Sequence, residues 1–79
     1  MSKKISKEDI KKIMSRVWGV PQESIPDQAA FNVFVPWDSF GHINLFLELE
    51  KSYNIELTET NLTMLITLDK ILSKLANNN

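Results

Sequence analysis

Trp37-Asp38-Ser39-Phe40-Gly41-His42-Ile43-Asn44-Leu45-Phe46-Leu47-Glu48-Leu49-Glu50-Lys51-Ser52-Tyr53-Asn54 is the stretch on which the architecture turns. Asp38 has the side chain of a helix N-cap, and Asn54 suits the left-handed residue that closes a helix, so the stretch predicts a helix from Ser39 to Tyr53. Projected at about 100° per residue, Phe40, His42, Ile43, Leu45, Phe46, Leu47, Leu49 and Tyr53 spread over an arc of roughly 220°, far wider than the apolar stripe of an ordinary surface helix. Two explanations stay open: a central helix covered on two sides, or an apolar edge, Phe40-Ile43-Leu47, left partly bare as a docking strip for other proteins.

Outward from this helix the punctuation is clear. Upstream, Ser6 and Asp9 form a capping pattern, with Ile5 placed to staple against Ile10. Ile10, Ile13, Met14 and Val17 then recur at helical spacing until Gly19 ends the run. The lysines of this helix read as its solvated face. Gly19 to Asp38 holds Pro21, Pro26 and Pro36, which leaves room for no more than a turn of helix at Pro21-Ser24. Its apolar residues, among them Ile25, Ala29, Phe31, Val33, Phe34 and Val35, predict a loop packed across the helices. Trp37 reads as a packing aromatic, and Met14 and Met64 as core filler. Downstream, Ile55-Leu57 is expected to be extended and Thr58-Asn61 to form a turn or short helix entry, with Leu62, Met64, Leu65 and Ile66 as an apolar patch. Thr67 caps a last helix carrying Leu68, Ile71, Leu72 and Leu75, and the three terminal asparagines are expected to fray. The expected fold class is all-α, a small bundle of three main helices and a short fourth with a long first loop.

Composition narrows the function. Seventy-nine residues suit a single domain spanning 1–79, and 43% hydrophobic with 24% charged residues suits a folded chain. There is no cysteine and only one histidine, which excludes a disulfide framework and a cysteine or histidine metal cluster. The net charge of -1 argues against nucleic acid as a partner. It hides an asymmetry, because six cations face two carboxylates within residues 1–18, a local +4, and the remainder carries -5. No apolar run approaches the roughly 20 residues that span a bilayer, so membrane is not expected as a partner and a cytoplasmic location is. Catalysis by the chain itself is not expected either. Ser39 and His42 lie one helical turn apart but lack an identifiable third residue and oxyanion hole. Two glycines cannot build a phosphate-cradling loop, and Glu48 and Glu50 diverge on their helix.

Trp37-Asp38-Ser39-Phe40 resembles the Asp-Ser-Leu signature of the acyl carrier protein family, with Phe40 in place of the usual leucine. Residues 37–57 as a whole are similar to that family's second helix and its exit, and the helix-loop order, the capped final helix and the chain length agree. The resemblance implies a four-helix bundle of acyl-carrier type in which a phosphopantetheinyl transferase attaches 4'-phosphopantetheine to Ser39. The chain would then hold acyl intermediates as a thioester on that arm and present them to loading and consuming enzymes, as a monomer. In this reading Asp38, Phe40, Ile43, Phe46 and Leu47 meet partner enzymes, while Leu45, Leu49 and Tyr53 are buried. Gly41 and Asn44 stand where carriers of fatty-acid synthesis usually have carboxylates, which implies weaker electrostatic steering and a specialised pathway, such as a polyketide, modified-lipid or sugar-acylation route. The string is also similar to D-alanyl carrier proteins, so an aminoacyl cargo is the alternative within the same fold. A noncovalent helical interaction module is the alternative outside it.

Overall fold

The computed structural model describes residues 5–77; Met1 to Lys4, Asn78 and Asn79 lie outside it. Of the three asparagines expected to fray, Asn78 and Asn79 thus fall outside the described residues, and Asn77 is the last residue of a helix. The chain is all-α: α1 (Lys7–Trp18), α2 (Ser39–Tyr53), α3 (Glu59–Met64) and α4 (Leu68–Asn77), with one 3-10 turn at Gln22–Ser24. Among the described residues, β-pairing is confined to an isolated bridge between Ala30 and Thr67.

Local chemistry accounts for the helix ends. At α1, the Asp9 amide donates to Ser6 Oγ and the Ser6 amide donates to Asp9 Oδ2 at 3.0 Å, a closed capping box. Gly19 at φ 68° ends α1, and Asn54 at φ 60° ends α2. Both left-handed positions carry a residue type that tolerates them. Thr58 caps α3 through the Asn61 amide, and Thr67 caps α4 through the Lys70 amide at 3.1 Å.

The core lies where α1, α2 and α4 converge, around Ile10, Met14, Leu45, Leu49, Ile71 and Leu75. Each such side chain contributes about 1.5–3 kcal/mol of burial. Ile25, Ala29 and Trp37 enter that core from the long loop. The same loop is tied to the α3–α4 connection, since the Phe31 amide donates to Ile66 O at 2.9 Å and the Leu68 amide to Ala29 O at 3.0 Å. This docking satisfies backbone groups that a strandless segment would otherwise leave unpaired. Residues 32–37 close on themselves: the Asn32 amide donates to Trp37 O and the Trp37 amide to Phe34 O, both at 2.8 Å, with Asn32 at φ 65°. Val33 and Val35 project outward from this coil, so the expectation that every apolar loop residue packs is corrected there.

Two further expectations are overturned. Lys11 is buried, not part of a solvated face, because its ammonium reaches Asp27 on the loop and the loop covers its stem. Met64 is 60% exposed at the end of α3 and fills no core. Lys7–Asp69 at 3.3 Å links α1 to α4, and Arg16–Glu48 at 2.8 Å links α1 to α2; exposed pairs of this kind contribute at most about 1 kcal/mol. No helix among the described residues is long and apolar enough to cross a membrane.

Candidate functional site

Ser39 is the first residue of α2 and is exposed. Asp38 directs its carboxylate into the helix, where Oδ1 accepts the Gly41 amide at 2.8 Å, while its carbonyl accepts the His42 amide at 2.8 Å. The His42 bond is the first of the helix ladder, and of the four amides before it that have no intrahelical partner the cap satisfies the one on Gly41. The amides of Ser39 and Phe40 have no protein acceptor among the described residues, so positive dipole density is concentrated beside the serine hydroxyl.

The start of α2 is held rigidly, and the residue that permits this is Gly41. Its backbone is pressed against the loop so closely that a Cβ would lie 2.2 Å from Pro36 O and 3.0 Å from Trp18 Nε1. The Trp18 indole, at the last position of α1, donates to Gly41 O at 3.0 Å. A glycine inside a helix costs about 0.5–1 kcal/mol against alanine, so its presence here matches a backbone approach that no side chain could share. In the sequence Gly41 stands out only as a missing carboxylate. The signal that could have revealed its role is a helix-interior glycine next to a segment holding Pro36 and Trp37.

One turn in, His42 is only 6% exposed and uses both ring nitrogens. Trp37 Nε1–H donates to Nδ1 at 2.9 Å, and Nε2 lies 2.7 Å from Leu62 O in α3. Because the indole is a donor only and the carbonyl an acceptor only, the ring is neutral with its proton on Nε2. In this state the Nδ1 lone pair faces the indole and Nε2 carries its proton towards Leu62 O, so neither nitrogen is hydrogen-bonded to Ser39. Phe31 and Phe46 flank the ring with centroids 5.2 and 4.8 Å away.

These contacts divide the wide arc of α2. Phe40 is 83% exposed, and Ile43 and Leu47 are exposed beside it, forming an apolar strip that starts next to Ser39. Asp38 is exposed at the same end. Phe46 is not part of that surface: it is 0% exposed, covered by the loop-side cluster around His42, which corrects its expected place on a partner-facing strip. One edge of the arc is therefore covered and the other bare. Leu45 and Leu49 are buried and Tyr53 is half-buried, and burial followed by the Asp9 carboxylate pushes the Tyr53 phenol above its ordinary value of 10.0.

Elsewhere, an open groove of about 400 Å³ lies along α4 from its junction with α3, with Met64 and Leu65 as its apolar part and Asp69, Lys70 and Lys74 as its charged part. No group of three or more metal-ligating side chains occurs among the described residues. The chain matches no protein-family model, and no curated protein matches it.

Proposed function

We propose that this chain is a carrier protein of the acyl-carrier type, in which Ser39 is the attachment point of 4'-phosphopantetheine. The observation that carries the reading is the exposed hydroxyl of Ser39 at the first position of α2, next to an exposed apolar strip and following a capping aspartate. The residues present fit the group. Ser39 is open to solvent, and Asp38 turns its charge into the Gly41 amide. A phosphodiester at Ser39 Oγ gains about 0.3–1 kcal/mol from the helix N-terminus. When bound, the group supplies a terminal thiol that holds an acyl cargo as a thioester.

The chain's own residues position and present. Ser39 Oγ would form the new P–O bond to the phosphopantetheinyl phosphorus of coenzyme A inside a phosphopantetheinyl transferase, losing its proton as the pyrophosphate bond breaks and adenosine 3',5'-bisphosphate leaves. Gly41, clamped between Pro36 and Trp18, fixes the turn of helix from which the serine projects. Phe40, Ile43 and Leu47 offer the apolar contact for enzymes that load and consume the cargo, with Asp38 beside them. Over residues 39–60 the carboxylates Glu50, Glu56 and Glu59 stand against Lys51, with Glu48 paired to Arg16, so steering comes from a modest acidic field, consistent with dedicated partners in a specialised pathway.

Intact-mass measurement after incubation with coenzyme A and a broad-specificity transferase tests the reading. One added pantetheinyl unit is expected, accompanied by one titratable thiol in a chain that has no cysteine. Ser39→Ala is expected to stay folded, within about 0.5 kcal/mol as for other exposed positions, and to gain no mass. A wild-type chain of unchanged mass, or a Ser39→Ala chain that still gains the unit, overturns the assignment.

A further inference from the structure

We propose that His42 is a proton-sensitive latch: in its neutral form it holds α3 against the loop and α2, and a second proton on the ring releases α3. The inference rests on the direction of two hydrogen bonds. The Leu62 carbonyl can accept from Nε2–H in either charge state of the ring. Nδ1 is the discriminating atom, because it must present a lone pair to Trp37 Nε1–H. A proton taken from solvent at Nδ1 sets two donors against each other at the 2.9 Å separation and breaks that bond.

Nothing nearby compensates the charge. The faces turned to the ring are aromatic: Phe31 and Trp37 from the loop, Phe46 from α2. The charged groups on the packed elements are otherwise placed. Asp38 caps the Gly41 amide, Asp27 pairs with Lys11, and Glu48 pairs with Arg16. Glu23, Glu50, Lys51 and Glu59 are exposed, and no carboxylate forms an ion pair with the ring among the described residues. A buried imidazolium without a counter-ion is driven towards water, and the ring takes the Leu62 bond with it.

α3 is the element that this bond retains. None of its side chains is fully buried, and its apolar hold on the core is the half-buried Leu62, the residue whose carbonyl the ring meets. Its other polar ties are local, from the Thr58 cap to the Asn61 amide and from Asn61 Nδ2 to Glu56 O at 2.7 Å. Among the described residues, Nε2 to Leu62 O is the polar tie between α3 and α2. The inference does not depend on the carrier reading, since every readout below uses the unmodified chain.

The test is an NMR titration of the full isotope-labelled chain from about pH 8 to 5, the range in which histidine changes charge. It follows the His42 ring, the Trp37 indole N–H, and hydrogen-exchange protection of the Leu62 and Leu65 amides, corrected for intrinsic exchange. Those amides donate to Thr58 O and Asn61 O, so they report on α3 itself. The expected result is a shift of the indole resonance and a drop in α3 protection of about fivefold, the effect of one buried hydrogen bond, at the midpoint of the ring. The amides of α1 are expected to keep their protection. His42→Gln supplies one carbonyl acceptor and one amide donor that do not titrate, and its α3 protection is expected to stay flat. The latch is overturned if the ring titrates while α3 protection holds, if the ring stays neutral to pH 5, if α1 loses protection at the same midpoint, or if His42→Gln shows the wild-type drop. Should His42→Gln not fold, the wild-type comparison of α3 with α1 decides alone.

Discussion

Gly41→Ala separates two physical effects of opposite sign. Helix propensity favours alanine inside α2 by about 0.5–1 kcal/mol. Packing opposes it, because the new Cβ would stand 2.2 Å from Pro36 O, and ordinary contact begins near 3.4 Å. The carbonyl must withdraw by roughly the difference, about 1.2 Å, in a loop already fixed by Trp37 and by its bonds to the α3–α4 connection. Overpacking of this kind costs about 1–3 kcal/mol, and weakening the Trp18 indole bond to Gly41 O adds about 1 kcal/mol. Net destabilisation is therefore about 1–3 kcal/mol, and for a domain of this size the melting temperature should fall by roughly 5–20 °C. Thermal melts followed by far-UV circular dichroism, with urea unfolding to check that the slope is unchanged, measure it. Comparing Asn44→Gly with Asn44→Ala, on the exposed face of the same helix, isolates the propensity gain. If Gly41→Ala melts at or above the wild-type temperature, the clamp on the first turn of α2 is wrong.

Two other perturbations have definite signs. The hydrogen bond from Lys11, then the charges of Lys11 and Lys7, hold the Asp27 carboxyl below its ordinary 3.8. A depressed carboxyl contributes stability above its unfolded value and loses it as pH falls through the folded one, so Lys11→Met should return the Asp27 titration towards 3.8 in carbon-detected NMR and flatten the acid limb of the stability curve. An unmoved midpoint would show that the pair does not form. Asp38→Ala should cost about 1 kcal/mol in urea unfolding and Asp38→Asn only a few tenths, because asparagine preserves the cap. Equal losses in the two variants would mean that the charge of Asp38, and not its geometry as a cap, stabilises α2.

Elements whose boundaries depend on neighbouring residues were legible in the sequence. Ser6 with Asp9, Gly19, Asn54 and Thr67 each announce a helix end through local chemistry, and each acts there. The widths of the apolar faces were legible as well, since the arc of α2 demanded more cover than one core face provides. What the residues could not disclose was which side the loop would take. The loop lies over His42 and Phe46, so Phe46 disappears into the interior, while Phe40, on the uncovered edge of the same helix, stays out. Lys11 is similar: its periodicity places it off the apolar stripe, and only the arrival of Asp27 from 16 residues away buries it. Gly41 and His42 depend on Pro36, Trp18, Trp37 and Leu62, contacts set by tertiary arrangement that no spacing within α2 encodes.

The small coil at residues 32–37 has a practical corollary. Its neck is shut by the Asn32 amide on Trp37 O, and its crest carries Val35 at 89% exposure. A dye attached at position 35 would ride on the outer rim of this eyelet, a short distance along the chain from Ser39. Events at the serine could then be watched from Val35 itself, while its neighbours Phe34 and Pro36 keep their places against Trp18 and Gly41.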